Sequence, residues 1–238
     1  NSRTNSASKE QIGGKGYANG FEGLIGYING LLPENEIMGK ALRKTVPMYP
    51  ELAVRELVAN AIIHQNFFVR GTSPMIEIFD NRMEITNPGT PLIEKERFVD
   101  HPPISRNESL ASFMRRVGVC EERGSGYDKV VAQTELFQLP APDIEIYNNH
   151  TKVVLYAHQT YAKMGKNDRQ RACYLHACLK RVNREPMTNS TLRERFAIPV
   201  KNSSMISRLL GETCEAGLIK ISEESTSDRN RSYLPYWA

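Results

Sequence analysis

The chain has 238 residues, 40% hydrophobic and 24% charged, enough apolar material for one large core or two small ones. No apolar run approaches the roughly 18 residues of a membrane span, and the first nine residues lack the apolar stretch of a secretory signal. The net charge of +4 is uneven: residues 165–238 hold 13 Lys/Arg against 8 Asp/Glu, while the remainder holds 18 against 19. A polyanionic partner is therefore sought in the last third. Four cysteines (Cys120, Cys173, Cys178, Cys214) show no CxxC spacing, which predicts reduced thiols in a cytoplasmic protein. Cys173, His176 and Cys178 invite a metal reading, but positions 173 and 178 fall on different sides of a helix, so core packing is expected instead. The chain does not start with Met, and an excised piece of a longer protein is expected.

Residues 1–20 are rich in Ser, Asn and Gly and read as a mobile lead-in. Gly13-Gly14-Lys15-Gly16 lacks the spacing and closing Lys-Ser/Thr of a phosphate loop, and no such loop occurs elsewhere, which argues against a P-loop helicase motor. Phe21, Leu24, Ile25, Ile28, Leu31 and Leu32 repeat with helical period up to Pro33. An extended segment is predicted near 36–46, after which Pro50 opens a helix from its first turn.

In that helix Glu56, Asn60 and His64 recur every four residues and so share one face. Leu57, Val58, Ala61 and Ile62 form an adjacent apolar stripe. Taken alone, this reads as an amphipathic helix with three polar residues on its wet side. At about 5–6 Å, however, a carboxylate and a carboxamide can hold a water and a hard cation between them, the all-oxygen, partly hydrated coordination that Mg²⁺ prefers.

Residues 75–80 and 83–86 read as two strands joined at Asn81-Arg82, ending in the corner Asn87-Pro88-Gly89. The long polar stretch 90–108 has the length of a lid or binding loop. A short helix around Leu110, Phe113, Met114 and Val117 follows, then Arg123-Gly124-Ser125-Gly126, a helix near 127–137, and strands 143–147 and 152–157 turning at Asn148-Asn149-His150. The order predicts an antiparallel sheet covered on one face by helices, an α+β sandwich.

Residues 158–168 read as a linker. Beyond it come helices near 168–183, 189–196 (capped by Asn189 or Ser190) and 202–216 (closed by Gly217), then strands at 218–221 and 232–234. With Leu192, Phe196, Ile206, Leu209, Leu210, Leu218 and Ile219 as core, residues 167–238 resemble a winged helix. Met205 is also assigned to packing. The recognition helix would open with Lys201, Asn202, Ser203 and Ser204 and continue through Arg208, offering short donors to phosphates and base edges of double-stranded DNA. Arg229 and Arg231 would sit on the wing. The same fold also serves as a protein-interaction module, and that reading stays open.

Glu56-Leu57-Val58-Ala59-Asn60-Ala61 resembles the N-box of the GHKL ATPases. Asn87-Pro88-Gly89 falls where those proteins carry their first glycine box, and Gly124-Ser125-Gly126-Tyr127 resembles the second. More closely, 50–157 resembles the GHKL-like domain of the RecG-related, Schlafen AlbA-type bacterial regulators. There Ile76-Glu77-Ile78-Phe79-Asp80, Glu84-Ile85, Asn87-Pro88-Gly89 and Arg123-Gly124-Ser125-Gly126 recur in this order. The resemblance implies a GHKL (Bergerat-like) nucleotide-binding domain over 21–160, followed by the winged helix. Asn60 would be the Mg²⁺ ligand and Glu56 would orient or deprotonate the attacking water. His64, Asn87, Gly89, Gly124, Ser125 and Gly126 would surround ATP, with 90–123 as lid. It also implies an AlbA-type domain upstream, a possible homodimer, and DNA-binding regulation. GHKL proteins carry Asp where Asn87 stands, which accepts from the adenine amino group; Asn accepts too, but without the charge. The expectation is a nucleotide-binding fold, with three alternatives left open: regulation without turnover, an active ATPase in DNA processing or defence, or a non-hydrolysing scaffold.

Overall fold

The computed structural model describes residues 11–38, 43–120, 126–223 and 231–238. Helix α1 (Tyr17–Leu31) buries Phe21, Ile25 and Ile28 and begins inside the expected lead-in. A hairpin of β1 (Glu34–Met38) and β2 (Arg43–Pro47) forms a two-stranded sheet of its own. Helix α2 (Glu51–His64) has Pro50 as N-cap residue, one position earlier than expected; its missing N–H again costs no helical hydrogen bond. This helix is not amphipathic with a wet polar side. Ala53, Val54, Leu57, Val58, Ala59, Ala61, Ile62 and Ile63 are all buried, and so is Glu56. A helix buried on most sides occupies the middle of a layer rather than its surface.

Strands β3 (Met75–Phe79) and β4 (Arg82–Pro88) pair antiparallel around Asp80-Asn81, one residue earlier than the expected turn. After α3 (Glu108–Arg116) and α4 (Gly126–Leu136) come β5 (Asp143–Tyr147) and β6 (His150–Tyr156). Their turn is Asn148-Asn149, both with positive φ (44° and 58°), a two-residue geometry that Asn tolerates well. The four strands form one antiparallel sheet in the order β3-β4-β6-β5. Helices α2 and α4 pack on each other, and α2 also lies over β4, so the helices form a layer above the sheet. The register sets Asn87 opposite Thr151 and Pro88 opposite His150.

The last third begins with α5 (Lys166–Val182), which starts inside the expected linker. Cys173 and Cys178 are both fully buried there, and burial pushes both thiols up to about 12, as core cysteines require. A two-residue strand, β7 (Met187–Thr188), leads into α6 (Asn189–Arg195). Thr188, not Asn189 or Ser190, caps α6, through a capping box with Thr191. Helix α7 (Ser203–Glu215) and strands β8 (Ile219–Ile221) and β9 (Ser232–Pro235) complete the unit, with strand order β7-β9-β8. Leu192, Phe196, Ile206, Leu209, Leu210 and Ile219 are buried and Leu218 packs against them, as the sequence predicts; Met205 differs, being 40% exposed.

The two thirds of the chain are not strung on a free linker. One hydrophobic core runs continuously from Phe21 to Ile219. Polar ties reinforce it. The Tyr174 hydroxyl of α5 donates to Glu96 O at 2.6 Å, Trp237 Nε1 donates to the Tyr174 hydroxyl at 3.2 Å, and the Arg97 guanidinium stacks over the Trp237 ring at 4.6 Å. Glu135 of α4 meets His176 of α5 and Arg195 of α6. Among the described residues no helix is long and apolar enough to cross a membrane.

Candidate functional site

A cavity of about 220 Å³ lies between the helix layer and the sheet. Glu56, Asn60 and His64 line it from α2, Asn87 and Thr151 from the adjacent strands β4 and β6, and Gly126 from the first turn of α4. Residues of segments 90–93 and 101–106, within the stretch 90–123 expected as a lid, also line it. The face of α2 that the sequence marked by its four-residue spacing thus looks into a hollow, not into water.

The approach of α4 to α2 is close: at Gly126 any Cβ would have to push a side chain of α2 aside. A Cβ on Gly126 would stand 2.9 Å from Glu56 Oε2 and 3.4 Å from Asn60 Nδ2. The carboxylate, the carboxamide and the first described turn of α4 therefore converge at one end of the cavity; in that turn Lys129 N already donates to Asp128 Oδ1 at 2.9 Å. Glu56 is 5% exposed, and burial raises its pKa above the ordinary carboxylate value; the Lys129 and Arg55 charges oppose the rise, and Asp128 adds to it. Burial also lowers the pKa of His64, with the Arg106 cation pushing the same way, so the imidazole is neutral at pH 7.

At the other end, Gly89 fits where no other residue would. Its φ is +105°, and a Cβ there would stand 3.0 Å from Asn66 Cβ and 3.3 Å from Asn66 N. Three hydrogen bonds fix this corner: Asn66 N to Pro88 O (2.7 Å), Gly89 N to Asn149 O (2.6 Å), and Thr151 Oγ1 to Gly89 O (2.6 Å). Asn87 is buried at 7% exposure and its Nδ2 donates to Pro88 O at 3.3 Å, which leaves Oδ1 as an acceptor.

Among the sequence-derived candidates, the structure brings Glu56, Asn60, His64, Asn87 and Gly126 around the cavity, with Gly89 forming its corner. Gly124 and Ser125 lie outside the described residues, as does Arg229. Lys201 and Asn202 form an exposed 3₁₀ turn; Ser203 and Ser204 open α7, and Arg208 is exposed on it. Arg231 hydrogen-bonds Tyr233. Thr151 and Arg106 also belong to the cavity and were not singled out from sequence. Thr151 is signalled only by strand pairing with Asn87. Arg106 is signalled by nothing local, because it is brought in by a long-range contact of its neighbour: Asn107 Nδ2 donates to Ile63 O (2.7 Å) and Gln65 O (2.8 Å), the open carbonyls at the end of α2.

Comparison with known proteins bears on the domain that holds this cavity. Residues 71–155, from the loop before β3 almost to the end of β6, match the family described as "Putative ATP-dependent DNA helicase recG C-terminal". The chain carries an ATPase-like domain related to that family. Helix α2 lies upstream of the matched stretch and reaches it through packing on β4 and α4. The crystal structure of the DIP2311 protein from Corynebacterium diphtheriae superposes with a TM-score of 0.56 at 20% identity, over 91% of this chain and 45% of that one. At that identity the likeness is one of fold, and the chain spans less than half the length of that protein. No curated protein matches the chain.

Proposed function

We propose that this chain binds ATP with Mg²⁺ in the cavity between α2, α4 and the sheet, and that its last third binds double-stranded DNA as a winged helix, acting as a transcriptional regulator. The observation that carries the nucleotide reading is the convergence of Glu56 and Asn60 on Gly126, where a Cβ would stand 2.9 Å from Glu56 Oε2 and 3.4 Å from Asn60 Nδ2. The residues fit the ligand. Asn60 offers the oxygen that a Mg²⁺ retaining its waters takes, and Asn87 Oδ1 offers an acceptor to an exocyclic amine. The bound cation would supply charge neutralisation for the phosphates.

Occupancy at about 100 times the Kd should raise unfolding free energy by roughly 2.7 kcal/mol, read as a rise in melting temperature on titrating MgATP. No change at millimolar MgATP would remove the reading. A second possibility, turnover, rests on the burial of Glu56. If Glu56 deprotonates the attacking water, Glu56→Gln keeps MgATP binding and abolishes phosphate release. Because burial raises the Glu56 pKa above the ordinary carboxylate range, activity should fall on acidification at a pH higher than an exposed glutamate would give.

Support for the DNA reading is the arrangement of α5, α6 and α7 beside β7-β9-β8, with Lys201, Ser204 and Arg208 exposed at the start and along one side of α7. The excess of basic residues in 165–238 points the same way. Affinity for duplex DNA should fall steeply with salt, log K against log[salt] having a slope of about −0.9 per phosphate contacted. A flat response would assign this face to a protein partner.

A further inference from the structure

Arg106 sits in the chain at the end of the lid, and its surroundings are unusual for an arginine. Its Nη2 donates to Thr90 O at 2.6 Å, while its Nε is buried and has no hydrogen-bond partner. Among the described residues no carboxylate pairs with it. The side chain is not free to find one, because the next residue, Asn107, is fastened by two hydrogen bonds to the end of α2. A Cβ on Gly89 would also stand only 3.5 Å from that Nε, so the guanidinium lies against the Gly89 corner. Arg106 is only partly buried as a residue, but its Nε is a buried donor without a partner, which is costly until something in the cavity accepts from it.

The position along α2 says which part of a ligand that would be. The cation acts on His64, which is one helical turn past Asn60 and two past Glu56, or about 6 and 12 Å along the axis. The phosphate-binding features, Glu56, Asn60 and Gly126, are at the far end. Next to Arg106 are Gly89 and Thr90, two and three residues beyond Asn87 on the same strand exit.

We infer that Arg106 is a ligand-contacting residue at the nucleoside end of the cavity, donating its Nε–H to a base nitrogen or a ribose oxygen and not to the phosphate chain. This rests on the nucleotide reading above.

The test compares the full chain with Arg106→Gln and Arg106→Lys by calorimetric titration with MgATP, adenosine and magnesium tripolyphosphate. Loss of one hydrogen bond to a charged donor should weaken MgATP by about 10- to 100-fold, and adenosine by a similar factor, while leaving tripolyphosphate unchanged. Lysine should not restore the affinity, since an ammonium does not reproduce the planar fork. Weakening confined to tripolyphosphate, or wild-type affinity of Arg106→Gln for MgATP, overturns the inference and leaves nucleotide binding standing; failure of the wild-type chain to bind MgATP overturns the nucleotide reading itself. A second readout needs no variant: phenylglyoxal modification of Arg106, followed by peptide mass spectrometry, should be blocked by saturating MgATP. Modification at an unchanged rate in saturated protein also overturns the inference.

Discussion

Glu135→Ala should cost the whole chain about 3–5 kcal/mol of unfolding free energy, a melting temperature lower by roughly 10 °C. Glu135 Oε2 lies 2.9 Å from His176 Nδ1, and Oε1 lies 3.5 Å from Arg195 Nε, an ion pair too long to be a hydrogen bond. The Arg195 side chain is 1% exposed, and its Nη2 is held by Leu139 O at 2.6 Å. Its Nε and Nη1, and His176 Nε2, have no hydrogen-bond partner among the described residues. Burial pulls the Arg195 pKa down, and the Glu135 charge is what opposes this. Removing the carboxylate strands a guanidinium in the core, the most destabilising way to break a buried pair. The control is Glu135→Leu combined with Arg195→Met, which removes both charges and should recover most of the loss. A single Glu135→Ala variant within about 1 kcal/mol of the parent in urea unfolding would show that the pair is hydrated in solution.

The second large effect is on function, not stability. Gly126→Ala places a methyl 2.9 Å from Glu56 Oε2. That oxygen is the tip of a flexible side chain, so the carboxylate yields and the fold loses less than about 1 kcal/mol. A displacement of this kind can cost on the order of 100-fold where reacting groups must be aligned. Phosphate release should fall by that order, and stabilisation by MgATP should weaken, while the melting temperature of the free protein stays near the parent's. An unchanged response to MgATP would mean that the phosphate chain does not lie at Gly126.

Much of the fold is legible in the sequence because it is written in local periodicity. The four-residue spacing of Glu56, Asn60 and His64 identifies one helix face, and alternation at Ile76, Ile78, Met83 and Ile85 identifies two strands. What sequence could not supply is which face is covered. Glu56 looks like a solvent-facing residue until α4 closes over it at Gly126. Strand β7 escapes because two residues, Met187 and Thr188, carry no alternation, and they are a strand only because β9 pairs with them. The cap of α6 was misplaced by one residue for a related reason: Thr188, Asn189 and Ser190 are all good caps, and strand pairing decides among them. Thr151 and Arg106 reach the cavity through strand register and a side-chain clamp, each a relation between distant segments that no window of sequence contains.

The Arg97–Trp237 stack has a mechanical corollary. Arg97 precedes Phe98, which lines the cavity; Trp237 lies two residues past β9; and Tyr174 holds both the Glu96 carbonyl and the indole N–H. The stretch beside Phe98 is thus clasped to α5 and to a residue that follows β9. Any outward swing of that stretch would have to undo the aromatic hasp or carry Trp237 with it.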